Sequence, residues 1–222
     1  VAFENLVILP NPYPILPLHC TVPDLEHRPQ QLAGRIGVLL HLAAAIGPDL
    51  AALYNGPRCG ASAPDHFHFQ AASAAGIPIL SQLGPLAEGH HRAARTSFGR
   101  SMLIFAGTDA ADVQSDIEQT IDALRRLVVQ ADEEPMINLL VHFSAGRYVA
   151  VLFPRRAHRP SCYFDTGQDH LAVSPAILEM AGLLVTTEPD HFSRLDAATA
   201  RSIYEQVSLE PSCFAQLVAQ AT

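Results

Sequence analysis

The chain has 222 residues, 49% of them hydrophobic and 16% charged, enough to bury one sizeable core or two fused small ones. Its 22 acidic and 14 basic residues leave a formal charge of −8, which argues against a binder of nucleic acid or of an anionic membrane. All 14 basic residues are arginine, so a lysine Schiff base, a Walker A lysine and a lysyl-adenylate are excluded.

The predicted elements run as follows. Residues 3–9 and 18–23 read as strands, joined by a proline-rich turn at 10–17. Residues 30–46 carry apolar residues at helical spacing and stop at Gly47-Pro48. That apolar run, interrupted by His41, is too short to span a bilayer. Residues 50–55 and 65–71 read as a strand pair around a loop at Gly60. Residues 76–99, with two glycine-proline turns and His90-His91, read as a connector.

A second series follows. Residues 101–106 read as a strand, and Thr108 or Asp109 as the cap of a helix reaching about Gln130. Residues 136–143 and 147–153 read as a hairpin turned at Ala145-Gly146. Ser174 to Ala181 reads as a short helix opened by Ser174-Pro175, Leu183 to Thr186 as a strand, and 189–206 and 211–220 as closing helices. This order predicts an α+β fold with an antiparallel sheet, compatible with two related halves. The expected division is 1–75, a connector at 76–100, and 101–222. The four scattered cysteines include no C-x-x-C pair and fit reduced thiols in a cytoplasmic protein. The chain opens on Val1 and shows no charged-then-apolar leader; residues upstream of Val1 are expected.

The most informative stretch is 54–70. A small-residue loop, Gly60-Ala61-Ser62, leads into His66-Phe67-His68-Phe69-Gln70. Alternation at period two puts His66, His68 and Gln70 on one face of a strand and the phenylalanines on the other. The loop's amides can approach an anion beside them. Two histidines two apart, followed by glutamine, point to nucleophilic phosphoryl chemistry.

Asn55-Gly56-x-x-x-Gly60-Ala61-Ser62, then His66-x-His68-x-Gln70, resembles the nucleotidyltransferase branch of the histidine-triad (HIT) superfamily. That branch holds galactose-1-phosphate uridylyltransferase, diadenosine tetraphosphate phosphorylase and the GDP-hexose phosphorylases. Residues 9–15, 19–23, 26–30, 138–140 and 152–156 resemble further segments of it. The resemblance implies a HIT-like antiparallel sheet with helices, with the catalytic motif in the first half alone. It implies that His68 attacks an α-phosphorus and holds the nucleotidyl group. Gln70 stands where hydrolytic members have a third histidine, which implies a transferase or phosphorylase. An amide hydrogen-bonds a phosphoryl oxygen but does not readily supply a proton. Asp65 precedes His66 where uridylyltransferases have proline, which is closer to the phosphorylases.

The implied substrate is a nucleoside diphosphate hexose or a dinucleoside polyphosphate, with orthophosphate or a sugar phosphate as acceptor, and the implied assembly a homodimer. Asn55, Gly60, Ala61 and Ser62 are expected to form the phosphate cradle. Arg155, Arg156 and Arg159, or Arg58 nearer the motif, read as a clamp for the second phosphate or as solvated surface. His27 and His66 match zinc ligands of the uridylyltransferases, but a structural zinc takes four ligands and a cysteine pair is missing. No cofactor is required for the chemistry. Two other readings stand beside this one: a metal-dependent enzyme with His66 and His68 as ligands, and a nucleotide-binding protein without turnover.

Overall fold

The computed structural model describes residues 2–83, 91–128 and 133–221. A small ribbon, β1 (Ala2–Phe3) and β2 (Leu6–Val7), turns at Glu4, whose φ is 51°. The first half continues with β3 (Leu9–Pro10), β4 (Cys20–Pro23), α1 (Ile36–Ile46), β5 (Leu50–Asn55) and β6 (His68–Ser73). After the short α2 (Pro78–Gln82) come β7 (His91–Ser97), β8 (Arg100–Gly107), α3 (Ala110–Leu127), β9 (Ile137–Ser144) and β10 (Arg147–Pro154). The chain then runs through α4 (Ile177–Met180), α5 (Pro189–Arg194), α6 (Ala197–Val207) and α7 (Pro211–Ala221).

Eight strands form one sheet, in the order β3-β4-β6-β5-β9-β10-β8-β7, and every pairing is antiparallel. The order is a palindrome. Each half runs strand, strand, helix, strand, strand, with its last two strands exchanged in the sheet. The halves meet where β5 pairs with β9, from Ala51–His142 to Asn55–Asn138. The fold is α+β, as the alternation of elements predicts.

Period-two alternation sorts the sheet's two faces. Ala52, Tyr54, Phe67 and Phe69 join the core under α1, α3 and α7. Ala51, Leu53 and Ala72 face the other way, against Ile177, Leu178 and Met180 of α4 and Tyr204 of α6. α3 forms where its signals stand: Asp109 Oδ1 accepts from the Ala111 amide at 2.7 Å, and Val113, Ile117, Ile121 and Leu124 are buried at helical spacing.

The structure departs from the expected elements at five places. The first expected strand, 3–9, is three short pieces, since the chain reverses at Glu4. The helix expected from residue 30 begins at Ile36, because Gln30 and Leu32 bond elsewhere. The expected connector carries α2 and edge strand β7, which pairs with β8 along its whole length; residues 84–90, with His90, lie outside the described residues. Residues 183–186 form no strand; Leu183 donates back to Leu178 O at 3.0 Å and closes α4, itself confined to Ile177–Met180. The helix expected over 189–206 breaks at Leu195, and Asp196 caps a new one by accepting from the Thr199 amide at 2.8 Å.

Candidate active site

Strand β6 starts at His68, not two residues earlier, so the two histidines diverge. His68 is 4% exposed. Its Nδ1–H donates to the His66 carbonyl at 2.9 Å. That bond fixes the tautomer and leaves a lone pair on Nε2, which is buried and has no hydrogen-bond partner. His66 therefore reaches His68 through its backbone. Its own ring turns away, with Nε2–H donating to Asp24 O at 2.9 Å.

Gln30, read in the sequence as part of a helix start, fastens the strand that carries His68. The β5–β6 ladder is last matched at Leu53–Gln70. One step further, the Gln30 side chain lies between the strands. Its Nε2 donates to Asn55 O and to His68 O, both at 2.9 Å, and its Oε1 accepts from the His68 amide at 2.8 Å. Gln30 is buried, and these three bonds use all but one of the amide's usual sites.

Gln70 follows on the same strand face as His68. His19 accepts the Ile15 amide on Nδ1 at 3.1 Å, so its Nε2 carries the proton and donates to Gln70 Oε1 at 3.1 Å. The Gln70 oxygen is thus occupied and its NH₂ group is left to donate. Gln70, Asn55, Gly60 and Ser62 line one cleft of about 550 Å³. Its other wall is Ser174 and Ala176–Glu179 from the second half, and its rim is the apolar loop 9–15.

Asn55 is held by the second half. Its Oδ1 accepts from Asn138 Nδ2 at 2.7 Å and from the Ile177 amide at 2.8 Å. The loop after it passes so close to residue 176 that only glycine fits at 60. A Cβ there would lie 2.5 Å from the Ala176 Cβ, and φ is +110°. Neither the Gly60 nor the Ser62 amide has a partner among the described residues, whereas the Ala61 amide turns back to Gly56 O at 3.4 Å. Gly60 and Ser62 face the cleft as a cradle requires; Ala61 does not line it.

The arginines divide. Arg155 is buried, and all five of its N–H donors are taken: Nε by Val207 O, Nη1 by Asn138 Oδ1 and Pro175 O, Nη2 by Ala157 O and His158 O. No donor remains for a phosphate. Burial lowers its pKa to about 10. Its role is to hold Asn138, which holds Asn55. Arg156 donates to Gln206 O at 2.8 Å and Glu205 O at 3.1 Å, where α6 ends, and pairs with Glu210. Arg58 pairs with Glu133 at 2.9 Å. With Arg155 and Arg156 it lines a separate pocket beside Met136 and Leu209. Arg159 does not line the cleft itself but bonds Ser174, which does. Its Nε donates to Ser174 Oγ at 3.0 Å, and its guanidinium lies 4.0 Å over the Tyr163 ring.

His27 and His66 do meet, with their Nδ1 atoms 3.1 Å apart. That spacing suits two ligands of one ion, but a closed zinc site needs four. Among the described residues no group of three His, Cys, Asp or Glu side chains is placed to hold a metal. The pair would supply two of the four ligands that such a site needs. The rings of His66 and His68 do not converge, so His-x-His is not a ligand pair here.

The palindromic antiparallel sheet with its flanking helices is a HIT-like fold, and solved structures share it. Yeast Ap4A phosphorylase Apa2 superposes with a TM-score of 0.65 at 15% identity, over 94% of this chain and 74% of that one. Its complex with AMP gives 0.64 at 15% identity, over 94% and 74%. Its complex with Ap4A gives 0.61 at 14% identity, over 94% and 75%. A family model described as a domain of unknown function, DUF4922, matches residues 1–73. No curated protein matches the chain. Among the described residues no helix is long and apolar enough to cross a membrane.

Proposed function

We propose that this chain is a nucleotidyltransferase of the phosphorylase type, working through a covalent nucleotidyl-histidine on His68. The observation that carries this reading is the state of the His68 ring. One nitrogen is committed as a donor, and the other keeps a lone pair that none of the described residues engages. A histidine packed only for structure has both nitrogens bonded or solvated.

The reaction runs in two displacements. His68 Nε2 attacks the α-phosphorus of the substrate. A P–N bond forms, the P–O bond to the leaving phosphate breaks, and the leaving oxygen keeps the electron pair. The acceptor oxygen then attacks the same phosphorus and returns the pair to Nε2. In this reading the Gln70 NH₂ and the Gly60 and Ser62 amides, from residues that line the cleft, donate to the phosphoryl oxygens as charge shifts onto them. Arg159, held at Ser174, is the cation for the leaving or incoming phosphate. The first half supplies the nucleophile and the second half the opposite wall.

The substrate class is a dinucleoside polyphosphate or a nucleoside diphosphate hexose. A solved neighbour holding Ap4A supports the dinucleotide. The test is incubation with α-labelled Ap4A, and with labelled nucleoside diphosphate hexoses, in the absence of acceptor. Acid-labile, base-stable label on the protein is expected, and none on folded His68→Gly. Label that survives this substitution would sink the assignment.

A further inference from the structure

A second cavity shares no lining residue with the cleft. It measures about 480 Å³ and is lined by Gln82, Ser97, Phe98, Arg100, Leu184 and Tyr204, among others. That volume is in the range of small-molecule sites, roughly 300–1,000 Å³. The residue that makes it unusual is Arg100, the first residue of β8.

Arg100 is 4% exposed, yet it is bonded quite differently from Arg155. Arg155 has an acceptor for every N–H. Arg100 has one hydrogen bond, from Nη1 to Met180 O at 2.9 Å. Its guanidinium also lies 5.0 Å from the centre of the Tyr204 ring. Its Nε is buried with no acceptor, and no carboxylate acts on it among the described residues. The Nε–H and the neighbouring Nη2–H form the side edge of the guanidinium, the edge that takes two oxygens of one anion. That edge is empty. Burial without a counter-charge lowers the pKa of Arg100.

The surroundings are built closely around this group. Gly182, at φ +108°, passes Arg100 so tightly that a Cβ would lie 3.2 Å from Nη1. Phe98 turns the β7–β8 hairpin with a φ of 50°, a left-handed conformation that costs a phenylalanine energy. Its ring still lines the cavity, against Tyr204 at 6.2 Å and under the guanidinium of Arg201 at 4.9 Å. Ser97 and Gln82 add polar groups, and Phe98 and Leu184 an apolar wall.

We propose that this cavity is a binding site for a small organic anion, whose carboxylate or phosphate group takes the Nε–Nη2 edge of Arg100 while its apolar part lies against Phe98 and Leu184. An oxyanion there satisfies the orphan donor and neutralises a buried charge that the protein leaves unpaired.

The experiment is a ¹⁵N spectrum of the arginine Nε–H groups. The chain has 14 arginines, so the spectrum is sparse. Arg100→Gln identifies the Arg100 resonance by its loss. Sodium benzoate and inorganic phosphate are titrated separately, each against chloride at matched ionic strength. A saturable shift of the Arg100 resonance with benzoate assigns a carboxylate, and with phosphate a phosphate ester. Because the readout is at Arg100, phosphate in the catalytic cleft does not imitate it. Gln82→Glu, at an exposed position on the cavity's edge, introduces a competing carboxylate and should weaken the titration severalfold. Should Arg100→Gln fail to fold, Gln82→Glu identifies the same resonance by moving it. An Arg100 resonance that follows chloride equally, or that titrates unchanged in Gln82→Glu, overturns the proposal.

Discussion

His19 decides which way Gln70 faces. The imidazole receives the Ile15 amide on Nδ1 and donates from Nε2 to Gln70 Oε1 at 3.1 Å, so the amide presents its NH₂ to the cleft. A flipped amide would aim an oxygen at an anion. His19→Phe keeps a ring at this buried position but lets Gln70 turn. We expect kcat to fall with little change in KM, since the donation matters most as charge develops on phosphorus. Gln70→Ala removes the donor outright and should cost about 10²–10³ in kcat, the usual loss for one such donor. Steady-state kinetics of both variants checks this; a rise in KM alone would contradict it.

Gln30 acts on His68 at one remove. Its amide replaces the missing rung between β5 and β6 and holds the His68 backbone by both N–H and C=O. The backbone position in turn sets the Nδ1–H bond to His66 O. Gln30→Leu keeps the volume and removes three hydrogen bonds, each worth about 1 kcal/mol of stability, with a further cost for the buried groups left unpaired. Imidazole ¹⁵N shifts should show His68 as the Nδ1–H tautomer in the parent protein and as a mixture in Gln30→Leu. Gln30→Glu keeps the acceptor and should restore part of the order. An unchanged His68 tautomer in Gln30→Leu would limit Gln30 to packing.

Much of this site was legible because its signals are local. His68 and Gln70 sit two apart on β6, as period two predicts, although Gln70 lines the cleft and His68 is not among its lining residues. Asp109 announces α3 from the sequence because a cap acts within its own first turn. The misreadings share a different cause. Gln30 meets His68 across the fold, and helical spacing alone absorbed it into α1. His66 shares the alternation of β6, but the strand begins only at His68, once the chain has turned at 63–66. The Arg155–Arg159 cluster has the charge density of a clamp or a solvated end, yet Arg155 is at neither. Carbonyl groups from three segments converge on it, and no local pattern records that convergence.

Glu134 ties the second half to the first and should set part of the pH dependence of stability. Its carboxylate accepts from Tyr54 Oη at 2.6 Å and from the Leu32 amide. Burial raises its pKa, and the bonds from Tyr54 and Leu32 and the charges of Arg125 and Arg58 only partly oppose this. A carboxyl group raised on folding binds its proton more tightly in the native state. Its contribution is fully present below the usual carboxylate range and is lost as pH rises through the folded value. Glu179, also raised by burial, acts in the same direction. The contribution of these two carboxyls should therefore fall as pH rises past the carboxylate range, against the opposite slope of His158, whose pKa burial lowers, and Glu134→Gln should remove the Glu134 share of that fall. Parallel denaturation curves for the two proteins across about pH 5 to 8 would remove Glu134 as the cause.

On the proposed reaction, acceptor choice follows from what surrounds the nucleotidylated nitrogen of His68. Water must lose a proton as it attacks, so it needs a base placed beside it. Gln70 cannot take a proton. The imidazole behind it, His19, uses Nδ1 on the Ile15 amide and Nε2–H on Gln70, so it has no free lone pair. Orthophosphate or a sugar phosphate arrives anionic and needs no base. Arg159, anchored at Ser174 on the opposite wall, can align it. Kinetics should then be ping-pong, with turnover rising as orthophosphate or a hexose 1-phosphate is added and slow without either. Arg159→Gln should raise the apparent KM for the acceptor about tenfold or more, for a loss of the order of the 1.5–3 kcal/mol of a charge-assisted hydrogen bond. His68 should still become labelled in that variant, since the acceptor takes no part in the first displacement, though more slowly where Arg159 also holds the leaving phosphate. Equal product formation with and without acceptor would place the chain with the hydrolases instead.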